Sequence, residues 1–237
     1  MLFNNAGNST YMGIKLVVFD IAGTTLKDDH KVTAVFKKTF SQFGYAIPAK
    51  HIDPLMGYEK SYAIRYVLET MTAHKPVQDN LVYAIHQEFV SQMILFYQQE
   101  NLEVLPHVEE TFTALRQEGI KIGINTGFSR DIAQTIISRL GWEKNNLIDI
   151  LVASDEVPLG RPEPFMIHSM MHSLGITDPL QVAKVGDTEV DIREGQNAGC
   201  KYVIGVTTGI FSRGELETYH PTHIIDDVAE LIAIVKE

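Results

Sequence analysis

The chain has 237 residues, is 45% apolar and 21% charged, and carries a formal net charge of −10. That is enough apolar content for a packed core in one or two domains, and too little charge for extensive disorder. The acidic balance argues against non-specific binding to nucleic acid or to an anionic membrane, and no apolar run reaches membrane-spanning length.

Residues 1–11 are polar and Asn-rich, and they read as a loose leader without fold content. One cysteine, Cys200, excludes an intramolecular disulfide; with no basic-then-apolar signal pattern, the cytoplasm is the expected location. Leu16–Phe19 is a short β-branched and aromatic run that predicts a buried strand ending on Asp20. Ala22-Gly23-Thr24-Thr25 follows, small and hydroxyl-bearing. Ligands of open α/β sheets sit just beyond the carboxyl ends of strands, so Asp20 can serve as nucleophile, metal ligand or both. Taken alone, such an aspartate more often caps a helix or opens a turn.

Helical periodicity then runs from about Lys31 to Glu100. Val32, Val35, Phe36, Phe40 and Phe43 line one face of a first helix, closed by Gly44. A second helix spans about Tyr58 to Met71, and a third about Asp79 to Gln99, with Leu81, Ile85, Phe89, Met93 and Phe96 on one stripe. The pattern predicts a helical insertion over residues 30–103 in a chain that is otherwise α/β over 12–29 and 104–237.

Alternation resumes with a helix at Val108–Gln117 and a strand at Lys121–Asn125 that ends at Thr126-Gly127. A helix at Arg130–Leu140 closed by Gly141, a strand at Ile148–Ala153 and a helix at Glu163–Leu174 follow. Then come a strand at Val182–Val185 ending on Gly186-Asp187, a helix at Val190–Ala198, strands at Tyr202–Gly205 and His223–Ile225, and a helix at Val228–Lys236. Strands alternating with helices imply a doubly wound, Rossmann-like parallel sheet with right-handed crossovers.

In such a sheet Asp20, Thr126, Arg161 and Asp187, with Asp191 one helical turn later, gather on one rim. Singly, these are ordinary strand-end hydrogen bonders, ion-pair partners or helix N-terminal residues. Jointly they match what phosphoryl transfer needs. Carboxylates hold a hard cation such as Mg²⁺, Arg161 and hydroxyls neutralise phosphoryl oxygens, and Asp20 attacks phosphorus.

Asp20 to Thr25, Thr126-Gly127, Arg161-Pro162 and Gly186-Asp187-Thr188 with Asp191 resemble the four motifs of the haloacid-dehalogenase-like superfamily, and the insertion resembles its helical cap. The phosphonatase-like branch, that of the phosphonoacetaldehyde hydrolases, is the most similar. Ala22 stands where most phosphatases of the superfamily carry a second aspartate, and Met56-Gly57-Tyr58-Glu59-Lys60 matches the phosphonatase cap. Val157 to Pro164 and Lys184 to Gly195 match its third and fourth motifs.

The resemblance implies that Asp20 is the nucleophile, that Asp20, the Ala22 carbonyl and Asp187 bind Mg²⁺, and that Asp191 supports them. Thr126 and Arg161 would bind phosphoryl oxygens, and Lys60 would form a Schiff base with an aldehyde. Thr24, Met56, Gly127 and Phe128 are the expected substrate contacts, with Tyr58 and Tyr62 adding to substrate choice from the cap. The branch's usual histidine, tyrosine and cysteine are replaced by Ala63, Phe128 and His30, and His30 is a candidate proton carrier. A homodimer through the caps is also implied, and the apolar residues between Tyr83 and Tyr97 permit it. Two rivals stay open: a phosphomonoesterase of the phosphoglycolate phosphatase type, and a regulatory protein that binds a small phosphorylated ligand without turnover.

Overall fold

The computed structural model describes residues 13–71 and 76–237; the leader expected over 1–11 lies outside the described residues. Six strands form one parallel sheet in the order β3-β2-β1-β4-β5-β6. They are β1 (Leu16–Phe19), β2 (Lys121–Thr126), β3 (Ile150–Ala153), β4 (Val182–Gly186), β5 (Tyr202–Val206) and β6 (His223–Ile225). The chain starts in the centre and winds outward in both directions, so the strand order reverses at β1.

Every residue of β1 is buried, as a parallel strand covered on both faces requires. Alternation divides it: Val17 and Phe19 enter one apolar cluster, Leu16 and Val18 another. The first is bounded by α4 (Val108–Gln117) and α5 (Arg130–Leu140), the second by α6 (Phe165–Ser173). Phe112 of α4 lies between Phe19 and Trp142, with ring centres 4.9 Å and 5.2 Å away.

Three helices, α1 (Lys31–Gln42), α2 (Lys60–Met71) and α3 (Asp79–Gln99), lie between β1 and β2 in the chain. Phe36 of α1 stacks on Phe89 of α3 at 4.2 Å, and α3 packs in turn on α5. One apolar cluster therefore runs from the sheet into these helices. On α3 the buried stripe is Val82, Ile85, Phe89, Met93 and Tyr97; the expected Leu81 and Phe96 are only half-buried. Steps of three and four residues keep Val82 to Tyr97 on one face.

Elsewhere the boundaries differ by a residue or two from the expected ones. The last predicted helix divides into a 3-10 turn at Val228–Glu230 and a short α9 (Leu231–Ile234). The sequence reading omits α8 (Arg213–Glu217), whose start is fixed by Ser212, whose hydroxyl accepts from the Glu215 amide at 3.4 Å. Between β4 and β5 lies α7 (Glu189–Ala198). Among the described residues no helix is long and apolar enough to cross a membrane.

Candidate active site

Asp20 is the first residue past β1, and its amide donates to the Val185 carbonyl at 3.1 Å. Thr126 closes β2 and Asp187 follows β4. These are the two neighbours of β1 in the sheet, so three side chains from distant parts of the chain meet on one rim. The turn after Asp20 is held by the Thr25 hydroxyl, which donates to the Asp20 carbonyl at 3.0 Å. Gly23 is required within it: its φ is 90°, and a Cβ there would stand 2.5 Å from Asp187 Oδ2.

Arg161 reaches this rim from the loop after β3. It is 3% exposed, and Nη1 donates to Asp20 Oδ1 at 2.7 Å and also to Asp191 Oδ1. Its buried Nε has no acceptor among the described residues. Asp187 Oδ1 accepts from the Thr24 hydroxyl at 3.2 Å, and Oδ2 from the Ile210 amide at 3.0 Å. Both oxygens of Asp191 are committed, Oδ2 to Thr188 at 2.6 Å and Oδ1 to Arg161 and to Lys184 Nζ at 2.9 Å.

Carboxylate oxygens of Asp20, Asp187 and Asp191 lie within 4.8 Å of one another, all buried. Burial, and then the neighbouring carboxylates, push Asp187 well above the ordinary range. Burial also lifts Asp20, against the pull of Arg161. For Asp191 burial is outweighed by Arg161 and Lys184, and its pKa falls to about 2. Beneath them Lys184 is fully buried, bonded to Asn125 Oδ1 at 2.6 Å and paired with Glu194 at 3.5 Å. With all four ionised, Asp20, Asp187, Asp191 and Glu194 face, among the described residues, the cations Arg161 and Lys184, an excess of two negative charges. Buried, all-oxygen and short of two positive charges, this donor set fits a hard divalent cation.

Lys60 opens α2 and is 3% exposed. Its Nζ donates to the Tyr58 carbonyl at 3.0 Å and lies 5.1 Å from the Phe128 ring centre and 5.9 Å from that of Phe36. Among the described residues no carboxylate pairs with it. Burial, and then the charge of Arg161, lower its pKa to about 7.

A cavity of about 160 Å³ connects these groups. Asp20, Ala22, Met56, Lys60, Thr126, Gly127, Phe128, Arg161 and Asp187 all line it, and His30 stands at its exposed rim. Thr24 and Asp191 do not; they stand behind Asp187 and Arg161. Tyr58 and Tyr62 depart from expectation: they stack at 5.4 Å on a separate groove that the helical insertion forms with Glu189 of α7, and neither lines the cavity. Tyr62 is two residues past Lys60, about 200° around the helix. The loop before α2 sits directly on the sheet rim, since a Cβ on Gly127 would overlap the carbonyl oxygens of Gly57 and Tyr58.

Sequence reasoning passed over Thr208-Gly209-Ile210 and Asp28. The Thr208 hydroxyl donates to the Gly23 carbonyl at 2.8 Å, and a Cβ on Gly209 would overlap Asp187. Its position after β5, at one more strand end, is the signal that points to it. Asp28 lies in the loop before α1 and lines the cavity. Asn125 and Lys184, polar residues inside apolar strand runs, signal the buried network in the same way.

The sequence model described as haloacid dehalogenase-like hydrolase matches residues 17–205. A phosphonoacetaldehyde hydrolase of Bacillus cereus is 31% identical over 247 residues, covering 95% of this chain and 88% of the relative. Among solved structures, a phosphonoacetaldehyde hydrolase like protein from Oleispira antarctica superposes with a TM-score of 0.80 at 24% identity, over 94% of this chain and 92% of that one. A hydrolase from Pseudomonas syringae superposes with a TM-score of 0.81 at 20% identity, over 92% and 96%. The two superpositions establish the fold: a Rossmann-like parallel sheet with helices inserted after its first strand.

Proposed function

The chain belongs to the haloacid dehalogenase-like hydrolase family of enzymes, and we propose that it cleaves a small phosphonate that carries an aldehyde, through an aspartyl-phosphate on Asp20. The observation that carries this reading is Lys60: a buried amine with no carboxylate partner among the described residues and a pKa of about 7, on the same cavity as Asp20. A lysine near half-neutral at physiological pH is a nucleophile toward carbonyl groups. An amine meant only to bind an anion would gain from staying charged.

Asp20 attacks phosphorus, while the Thr126 hydroxyl and Arg161 donate to phosphoryl oxygens; the unpaired Nε of Arg161 is a donor available for that task. Asp20, Asp187 and the Ala22 carbonyl would hold Mg²⁺, with Asp191 fixing Arg161 from behind. When bound, the cation offsets the charge of the carboxylates and of the phosphoryl oxygens. Ala22 offers no acid for a departing alkoxide. A Schiff base on Lys60 removes that need, because the departing carbon leaves as an enamine rather than a bare carbanion. The curated relatives named phosphonoacetaldehyde hydrolase support the same substrate class.

Phosphate release from phosphonoacetaldehyde with Mg²⁺, together with borohydride trapping and mass mapping, tests the reading. The expected result is phosphate and acetaldehyde, with the reduced adduct on Lys60. Phosphate from ordinary monoesters without an adduct would replace it with a phosphomonoesterase. Binding of either class without turnover would make the protein a phosphate-ligand sensor.

A further inference from the structure

We propose that Asp28 is the proton-transfer group for the amine chemistry of Lys60; this rests on the aldehyde reading above. Asp28 lines the 160 Å³ cavity together with Lys60, Asp20 and Arg161. It also lines a second cavity of about 10 Å³, beside Lys31 and Tyr97, with room for about one water molecule. The carboxylate is half-buried and lines both cavities. Its Oδ1 accepts the Val32 amide at 3.1 Å, which fixes the side chain; Oδ2 has no donor among the described residues.

The charged and titratable groups around Asp28 are Lys27, Asp29 and His30 from its own loop, Lys31 from α1, Lys60 from α2, Tyr97 from α3 and, past the end of α3, Glu103, which pairs with Lys27 at 3.4 Å. Lys27 and Asp29 pair with each other at 3.2 Å. His30 is exposed at the rim. The remaining cavity acids, Asp20 and Asp187, are bound at the phosphoryl end by Arg161 and by Thr24 with Ile210. Among the cavity acids, Asp28 is the one left to exchange a proton with bound aldehyde. Burial raises its pKa from the ordinary value, with the Val32 amide, His30 and Lys60 opposing.

The neutral Lys60 amine attacks the carbonyl carbon. The N–C bond forms, the C=O π pair moves to oxygen, and that oxygen takes a proton from the Asp28 carboxyl. The nitrogen returns a proton to the carboxylate. Asp28 then protonates the hydroxyl, the C–O bond breaks, water leaves, and the nitrogen lone pair closes the C=N bond. In sum, a neutral Lys60 amine, the Asp28 carboxyl and an aldehyde give a Lys60 iminium, the Asp28 carboxylate and water.

The test is the rate of Lys60 alkylation by phosphonoacetaldehyde at saturating cyanoborohydride, so that iminium formation limits. Asp28→Asn keeps a side-chain oxygen for the Val32 amide, yet it cannot carry the proton. We expect the rate to fall about 10²-fold and Asp28→Glu to recover part of it. Should Asp28→Asn not fold, Asp28→Ser carries the same comparison. Wild-type alkylation with an unchanged rate in the variant overturns this proposal alone. No adduct on wild-type Lys60 overturns the aldehyde reading and this proposal with it.

Discussion

Lys60 Nζ lies over the face of the Phe128 ring, 5.1 Å from its centre. That contact acts in two directions. The ring excludes water, which disfavours the ammonium, and its π face attracts it, by about 0.5–2 kcal/mol. A pKa brought from 10.5 to about 7 corresponds to ~5 kcal/mol, so exclusion of water wins.

Phe128→Ala should therefore raise the pKa of Lys60 by readmitting water, despite the lost cation–π contact. The pH profile of Lys60 reductive methylation should move to higher pH. At pH 7 the reaction should slow about tenfold for every tenfold loss of neutral amine that the higher pKa brings. An unmoved profile would show that Phe128 does not supply the exclusion of water, leaving the rest of the burial and Arg161 as the causes.

The same depressed pKa makes Lys60 a stability liability with a defined pH window. The folded value is about 7 against 10.5 when unfolded, so between these limits the unfolded chain binds more protons and stability rises with pH. The penalty is full below about pH 7 and is lost toward pH 10.5. Lys60→Met should stabilise the protein by on the order of a few kcal/mol at pH 7 and by much less at pH 10. Urea unfolding at both pH values measures the difference.

Asp187 contributes to crowded negative charge at the rim. In EDTA, Asp187→Asn should raise the melting temperature by a few degrees, on the order of 1 kcal/mol, because a buried carboxylate is neutralised. Phosphate release with Mg²⁺ should fall to background. Added Mg²⁺ should stabilise the wild type and leave the variant unchanged.

Lys184 lies under the site, bonded to Asn125 and paired with Asp191 and Glu194. Lys184→Met removes the buried cation, leaves Glu194 without a cationic partner and leaves Asp191 with Arg161 alone. The expected loss is ~3–5 kcal/mol in urea unfolding. Adding Glu194→Gln should return part of it, because the stranded charge is gone.

Much of this was legible along the chain. β1, α3, α4, α5 and β6 match their expected spans because each carries its own period, and Gly141 closes α5 with a φ of 71°. Asp20, Thr126 and Asp187 were legible as a site because each follows an apolar strand, and parallel strands place all their carboxyl ends on one rim. The outward face of Tyr62 and the rotated stripe of α3 were not, since periodicity reports that one face is apolar and not which neighbour covers its edges.

By itself the sequence determined the order of elements, the parallel sheet and the residues at its rim, all consequences of local periodicity and of strand ends. The tertiary structure decided what those residues can do. Lys60 is an ordinary lysine until Phe36 of α1 and Phe128 after β2 close over it. Asp28 is an ordinary loop acid until α2 and α3 bring Lys60 and Tyr97 to its cavities. Burial and the field of neighbouring charges are properties of how distant segments meet, and they set the proton affinities on which this chemistry depends.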